Sequence, residues 1–462
     1  MSVLVVLCQV IVLSVLFFSE VCLAGKKIPA NFVFGDSLVD AGNNNYLATL
    51  SKANYVPNGI DFGSPTGRFT NGRTIVDIVY QALGSDELTP PYLAPTTSGS
   101  LILNGVNYAS GGSGILNSTG KLFGERINVD AQLDNFATTR QDIISWIGES
   151  EAAKLFRSAI FSVTTGSNDL INNYFTPVIS TLQRKVVAPE VFVDTMISKF
   201  RLQLTRLYQL GARKIVVINI GPIGCIPFER ESDPAAGNNC LAEPNEVAQM
   251  YNLKLKTLVE ELNKNLQGSR FVYGDVFRIV DDIIQNYSSY GFESEKIPCC
   301  SLVGKVGGLI PCGPPSKVCM DRSKYVFWDP YHPTEAANII IARRGGGGHG
   351  GGAGEDLAVV QEVRTTVEVP GEDLAVVRRW RCWGRFGGGG WDLAVVQEEV
   401  LVEDLAVVQE VEEAMVVVRW WCRWWSWRGF GGGAGGGGGH GGGAGGGFGG
   451  GAGGGGGHGG RF

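Results

Sequence analysis

The chain has 462 residues but only four histidines: His332, His349, His440 and His458. The last three lie in glycine tracts, where ordering loses too much entropy for a side chain to be held in a fixed geometry. A general-base imidazole in the folded part is therefore His332. Asp329 stands three residues before it, near enough to reach the ring across a turn and fix its tautomer. Ser37, in Gly35-Asp36-Ser37, offers a hydroxyl nucleophile. Two further segments offer donors for an oxyanion: Ser110-Gly111-Gly112-Ser113-Gly114 and Gly166-Ser167-Asn168-Asp169. A hydroxyl, an imidazole, a carboxylate and a set of N–H groups are the parts that acyl transfer needs. Each part alone is weak, because Gly-Asp-Ser, Gly-Ser-Asn and Asp-x-x-His all occur as solvated turns. Their conjunction carries the reading. No G-x-S-x-G elbow occurs in the chain, so the layout with a nucleophile on that motif does not apply. Ser113 comes nearest to it in appearance, but its glycines are misplaced and its loop reads as a backbone donor.

These segments need a frame that brings them together, and the hydrophobic pattern predicts one. Short apolar runs at 30–34, 106–109, 159–163, 215–220, 271–273 and 326–328 read as strands. Helical spacing links Ile75, Ile78, Val79 and Ala82, then Leu133, Phe136, Ile143 and Ile144, then Phe192, Met196, Phe200 and Leu207. Further helices are expected over 247–266 and 276–284. Strands alternating with helices imply a mostly parallel sheet covered on both faces. In such a sheet the loops beyond the strand C-terminal ends carry the chemistry. Four of the runs lead into the segments above: 30–34 into Ser37, 106–109 into the glycine loop, 159–163 into Asn168, and 326–328 into Asp329 and His332.

Composition divides the chain into three parts. Residues 1–24 read as a secretory signal peptide: the run from Val3 to Phe18 is almost unbroken apolar, and Ala24 offers a small residue for cleavage before Gly25. It lacks the usual basic start, since no Lys or Arg precedes Lys26. Residues 25–344 have ordinary composition and ample length for a core. Residues 345–462 are a low-complexity tail in which about one residue in three is Gly, against roughly 7 % in ordinary chains. The tail holds eight of the ten Trp and repeats Asp-Leu-Ala-Val-Val from Asp356, Asp373, Asp392 and Asp404. It reads as a disordered extension or a mis-joined reading frame, or else as a wall-associated or membrane-surface segment. The net charge of −6 without a basic stripe excludes a nucleic-acid partner. A single long apolar run excludes a multipass membrane protein.

Secretion suits the cysteines. Beyond the leader stand Cys225, Cys240, Cys299, Cys300, Cys312 and Cys319. Cys225 with Cys240 is the natural local pair, and the other four would staple one loop. A zinc site is the competing reading, but no C-x-x-C pair or nearby His supports it. Asn117-Ser118-Thr119 and Asn286-Tyr287-Ser288 are glycosylation sequons.

Taken with their linking text, the motifs resemble the GDSL esterase/lipase family, a branch of the SGNH hydrolases. Phe32-Val-Phe-Gly-Asp-Ser-Leu-Val-Asp-Ala-Gly-Asn-Asn resembles its first block, and Gly105-Val-Asn-Tyr-Ala-Ser-Gly-Gly-Ser-Gly-Ile its second. Thr165-Gly-Ser-Asn-Asp resembles the third, and Phe327-Trp-Asp-Pro-Tyr-His-Pro-Thr-Glu-Ala the last. Pro65-Thr-Gly-Arg-Phe-Thr-Asn-Gly-Arg73 and Gly221-Pro-Ile-Gly-Cys-Ile-Pro227 look like the plant secreted subfamily. The resemblance covers about residues 28 to 342.

It implies Ser37 as nucleophile, His332 as base and Asp329 as the acid that orients it. It implies an oxyanion hole of the Ser37 N–H, the Gly112 N–H and the Asn168 amide. The implied fold is a three-layer α/β/α sandwich on a flavodoxin-like, mostly parallel, five-stranded sheet. The implied substrates are carboxylic esters of lipids, acetylated sugars or cutin-like polymers, with no metal or organic cofactor, in the cell wall or apoplast. The sequence departs from the family at one end. There the helix begun at Glu335 runs through Arg343-Arg344 into glycine, where the family continues with a segment that packs on the core. Arg68 and Phe69 stand where they could border the pocket, with packing as the plainer role. Two alternatives keep or discard the same chemistry: an acyltransferase using the same triad, and a catalytically silent wall protein whose Gly-rich tail does the binding.

Overall fold

The computed structural model describes residues 30–175, 187–232, 239–302 and 311–345, and the backbone of two strands at 375–384 and 393–402. Residues 1–29, where the signal peptide is expected, and most of the tail lie outside the described residues. Four strands form one sheet: β1 (Asn31–Gly35), β2 (Ile160–Thr164), β3 (Lys214–Ile218) and β4 (Arg270–Gly274). They are ordered β1-β2-β3-β4 and are parallel throughout. Between them run helices α1 (Ile75–Ala82), α2 (Val129–Ile147), α3 (Glu149–Ser158), α4 (Pro189–Gln209), α5 (Pro227–Ser232) and α6 (Ala242–Asn265). After β4 come α7 (Val276–Gln285), a two-stranded ribbon of β5 (Cys300–Ser301) and β6 (Lys317–Val318), and α8 (Glu335–Gly345).

The fold follows from which side of each strand is apolar. Alternate residues Phe32, Phe34, Phe161, Val163, Ile215 and Val217 belong to one large core. Helices α2, α4 and α6 cover that core, and Phe32, Phe136, Phe156 and Phe161 stack at its centre. The other set, Val33, Ile160, Val216 and Val272, lies on the opposite face with residues of α1. There α8 packs on both α1 and α7. The result is the expected three-layer α/β/α arrangement. Helix starts are set by side-chain caps: Thr74 and Asp77 form a capping box at α1, Asn128 accepts from the Ala131 N–H at α2, and Asp275 accepts from the Arg278 N–H at α7. Between α1, α7 and α8 an apolar groove of about 80 Å³ remains, lined by Val79, Leu83, Ile160, Val216 and Ile341.

Two expected strands differ. Residues 106–109 do run beside β1 on its outer side, with Tyr108 N donating to Val33 O at 2.7 Å and Val33 N to Val106 O at 3.0 Å. They occupy the fifth place of the sheet but make only isolated bridges. Their other neighbour is Pro90-Pro91-Tyr92, where proline cannot donate to a ladder. Residues 326–328 do not join the parallel sheet. Their carbonyls instead accept from Cys299 N and Cys300 N at 2.9 and 2.6 Å, against the disulfide-stapled loop. Among the described residues the disulfides are Cys225–Cys240, Cys299–Cys319 and Cys300–Cys312.

A second unit spans Glu368–Phe462. Its described part is an antiparallel pair, β7 (Ala375–Gly384) and β8 (Leu393–Val402), which starts within two of the Asp-Leu-Ala-Val-Val repeats. Among the described residues no helix is long and apolar enough to cross a membrane.

Candidate active site

The nucleophile candidate sits on the turn that leaves β1. Gly35 is at φ 154°, and a Cβ there would lie 2.2 Å from Thr164 O, so only glycine lets the turn pack against β2. The turn aims Ser37 Oγ at His332 Nε2, 2.9 Å away. On the far side of the ring, Nδ1 lies 2.8 and 2.9 Å from the two carboxylate oxygens of Asp329. Asp329 and His332 are both buried. The Asp329 Oδ1 atom also accepts from the backbone N–H of Tyr331 and of His332, at 2.9 and 2.8 Å. The Asp-x-x-His spacing thus works as a tight turn closed by its own carboxylate.

That turn is held from three directions. Trp328, fully buried, donates Nε1–H to Asn58 Oδ1 at 2.9 Å, and Asn58 in turn donates to Cys312 O. The Cys312 N–H points to Asp329 Oδ2 at 3.4 Å, so the Cys300–Cys312 bridge ties the acid to the stapled loop. On the C-terminal side, Thr334 Oγ1 accepts from Ala337 N at the start of α8, and the Glu335 N–H donates to Asn71 Oδ1. Phe69 packs on the His332 ring, centroid to centroid 5.1 Å, and lines the cavity. Arg68 turns away from the cavity into a buried two-bond ion pair with Asp77.

Ser37, Gly112 and Asn168 all line one cavity of about 450 Å³ with His332. Gly112 sits at φ 77°, a left-handed conformation that suits glycine. Asn168 follows β2 and donates Nδ2–H to Ser113 O at 2.9 Å, while its Oδ1 accepts from Asn172 Nδ2 at 2.8 Å. The five residues implied by the motifs are therefore gathered at one end of the sheet. The cavity wall beyond them is mostly aliphatic, including Ile171, Ile218, Ile223, Val276, Val280 and Ile341.

Several residues that hold the site carry no signal of their own in the sequence. Asp40, Asn43 and Asn44 pin the glycine loop: Asp40 accepts from Gly111 N at 3.0 Å, Asn43 donates to Asn107 O and Ala109 O, and Asn44 donates to Gly111 O. Asp169 accepts from Ile115 N, Leu116 N and Thr119 Oγ1, which fixes the far side of the same loop. Gln132, on α2, reaches the Gly35 peptide. They are legible only as polar residues within or near the motifs, and a single sequence does not tell a buried clamp from a solvated turn.

Burial also perturbs three acids around the serine. It pushes Asp36 up to about 7, against the opposing effects of the Leu38 N–H bond and the nearby His332. The Asp36 Oδ2 atom has no hydrogen-bond partner among the described residues. Asp40 and Asp169 are likewise raised by burial to about 6, although each accepts several N–H or O–H donors.

Comparison with known proteins follows the same boundaries. The family described as GDSL-like Lipase/Acylhydrolase matches residues 32–344. GDSL esterase/lipase At4g16230 of Arabidopsis thaliana is 99% identical over 343 residues, covering 74% of this chain and 93% of that protein. GDSL esterase/lipase At2g23540 of the same plant is 52% identical over 324 residues, covering 69% of this chain and 84% of its own length. GDSL esterase/lipase At3g50400, also from Arabidopsis thaliana, is 51% identical over 333 residues, covering 70% and 89% respectively.

Proposed function

The chain belongs to the GDSL-like lipase/acylhydrolase family and is a carboxylic ester hydrolase, and on that premise we propose that Ser37, His332 and Asp329 perform the hydrolysis. The observation that carries this is the unbroken chain of contacts from Ser37 Oγ through His332 to Asp329. Ser37 Oγ attacks the ester carbonyl carbon while His332 Nε2 takes the hydroxyl proton. Asp329 holds Nδ1–H and stabilises the imidazolium. The Ser37 N–H, the Gly112 N–H and the Asn168 amide bind the oxyanion. The intermediate then collapses, His332 gives its proton to the leaving alkoxide, and an acyl-enzyme ester remains on Ser37. Water attacks that ester, giving its proton to Nε2, and the acid departs with Ser37 restored.

The wall of the cavity supports an aliphatic acyl group. Ile218, Val276, Val280 and Ile341 offer no partner for sugar hydroxyls, whereas a hydrocarbon chain loses nothing by lying against them. A long acyl chain, as in lipid or cutin-like esters, fits this part of the lining, and the polar residues Ser51, Asn172 and Asn219 line other parts of the same cavity. The same reading places the protein outside the cell, because three disulfides suit an oxidising compartment and an apolar leader precedes Gly25.

Labelling of the secreted protein with a fluorophosphonate, followed by peptide mapping, tests the assignment. Modification is expected at Ser37 and at no other serine, and Ser37→Ala is expected to abolish both labelling and esterase activity. A Ser37→Ala protein with full activity would sink the assignment.

A further inference from the structure

The three oxyanion donors proposed above sit on separate segments: Ser37 after β1, Gly112 in the glycine loop, Asn168 after β2. A donor set of this kind works only if its members are held in place before the charge develops. The structure contains a buried polar network that joins all three segments. Its first member is Gln132, completely buried. Gln132 Oε1 accepts from Gly35 N at 2.9 Å and Nε2 donates to Gly35 O at 2.8 Å, so one side chain grips both polar groups of Gly35. The same Nε2 lies 2.8 Å from Ile127 O and 3.3 Å from Ser113 Oγ.

The second member is Ser113, also completely buried. Its Oγ donates to Gly35 O at 2.9 Å, and its carbonyl oxygen accepts from Asn168 Nδ2 at 2.9 Å. Ser113 therefore touches the segment of each donor: it follows Gly112 in the chain, it bonds to the turn of Ser37, and it bonds to Asn168. Asn168 has two N–H donors on its amide. With Oδ1 held by Asn172 and one N–H held by Ser113, the second N–H is the one left for the cavity.

We propose that Ser113 and Gln132 are positioning residues of the oxyanion hole, which set the spacing of the Ser37, Gly112 and Asn168 donors without touching the substrate. This rests on the hydrolase reading of the same site. The chemistry demands it in a specific way. Losing the Ser113 hydroxyl removes one of the two bonds from the glycine loop to the Gly35 carbonyl and leaves only that of Ser110 N at 3.1 Å, and that loop carries both Gly112 and the Ser113 carbonyl that orients Asn168. The ester in its ground state needs these donors little. The tetrahedral oxyanion needs all of them.

The test compares the full-length parent with Ser113→Ala, Gln132→Met and, as a control for stability alone, Ile143→Val in the core end of α2. For each, kcat and KM are measured with p-nitrophenyl butyrate, along with the inhibition constant of an aliphatic trifluoromethyl ketone, which forms a tetrahedral adduct on the serine. Loss of one oxyanion donor typically costs about 10²–10³ in rate. Displacing donors rather than deleting them is expected to lower kcat about ten- to a hundredfold in both network variants. KM is expected to stay within about threefold, and the ketone constant to rise by the same factor as kcat falls, as for an interaction made only in the transition state. Ile143→Val is expected to lower the melting temperature without moving kcat or the ketone constant. Folded Ser113→Ala and Gln132→Met proteins with unchanged kcat and ketone affinity would overturn the proposal. So would a kcat loss that leaves ketone affinity intact. A parent protein that fluorophosphonate does not label at Ser37 would instead remove the hydrolase reading, and this proposal with it.

Discussion

Replacing Asp329 by asparagine isolates the charge of the proposed triad from its geometry. An amide oxygen in the place of Oδ1 still accepts from the Tyr331 and His332 N–H groups, so the turn is kept. What is lost is a negative charge 2.8 Å from His332 Nδ1, at a site where both groups are buried. At an effective dielectric of about 20, a charge pair at that distance is worth about 6 kcal/mol. The amide returns roughly 1 kcal/mol as a neutral hydrogen bond. The imidazolium of the transition state therefore loses on the order of 4–5 kcal/mol, whereas the neutral ring of the resting enzyme loses little. At about 1.4 kcal/mol per tenfold, that is a fall in kcat of about 10³–10⁴. The assay is kcat on a soluble p-nitrophenyl ester, read beside the rate of fluorophosphonate labelling and the melting temperature. Both rates are expected to fall together while the protein stays folded. A folded variant within tenfold of its parent would refute the assignment of Asp329.

Asp36→Asn is expected to stabilise the protein in a pH-dependent way. Burial holds this acid at about 7, above its unfolded value of about 3.9, so from pH 4 to pH 7 the folded state keeps a proton that the unfolded chain releases, and stability falls. The gain in melting temperature of the variant over its parent should be near zero at pH 4 and reach its full size above pH 7; a gap independent of pH would count against it. Arg68→Met leaves the buried Asp77 carboxylate without its two-bond partner, which should cost about 3–5 kcal/mol in urea unfolding. Adding Asp77→Asn to Arg68→Met should recover part of that loss, and no recovery would mean that the ion pair is not the cause. Val280→Phe fills part of the aliphatic wall; the ratio of kcat/KM for p-nitrophenyl dodecanoate over butyrate should drop at least about tenfold, on the scale of two lost methylene contacts. An unchanged ratio would place the acyl chain elsewhere.

The parallel strands were legible because continuous apolar runs such as Ile215-Val216-Val217 are buried on both faces by whatever covers them. Two further apolar runs show the limit of that rule. Residues 106–109 have the same apolar character as β1, but their outer neighbours are prolines, and whether a strand gains a ladder depends on a partner remote in sequence. In residues 326–328, Trp328 packs under the stapled loop against Cys299, Cys300 and Cys312, while Val326 and Phe327 join the large core without pairing with a strand of the sheet. The two contexts bury side chains equally, so hydrophobicity cannot separate them.

By itself the sequence named the candidates for the proposed site. One histidine outside the glycine tracts singles out His332, with Asp329 three residues before it, and the resemblance to the family implies Ser37, Gly112 and Asn168 as its proposed partners. Tertiary structure decided how those groups are held. Gln132 grips Gly35 from 97 positions away, Asn58 steadies Trp328 from 270 away, and Asp40 reaches the glycine loop across 71. The physical reason is that a hydrogen bond between distant residues depends on burial and direction. Both are properties of the packed chain, and neither leaves a period or a spacing in the sequence.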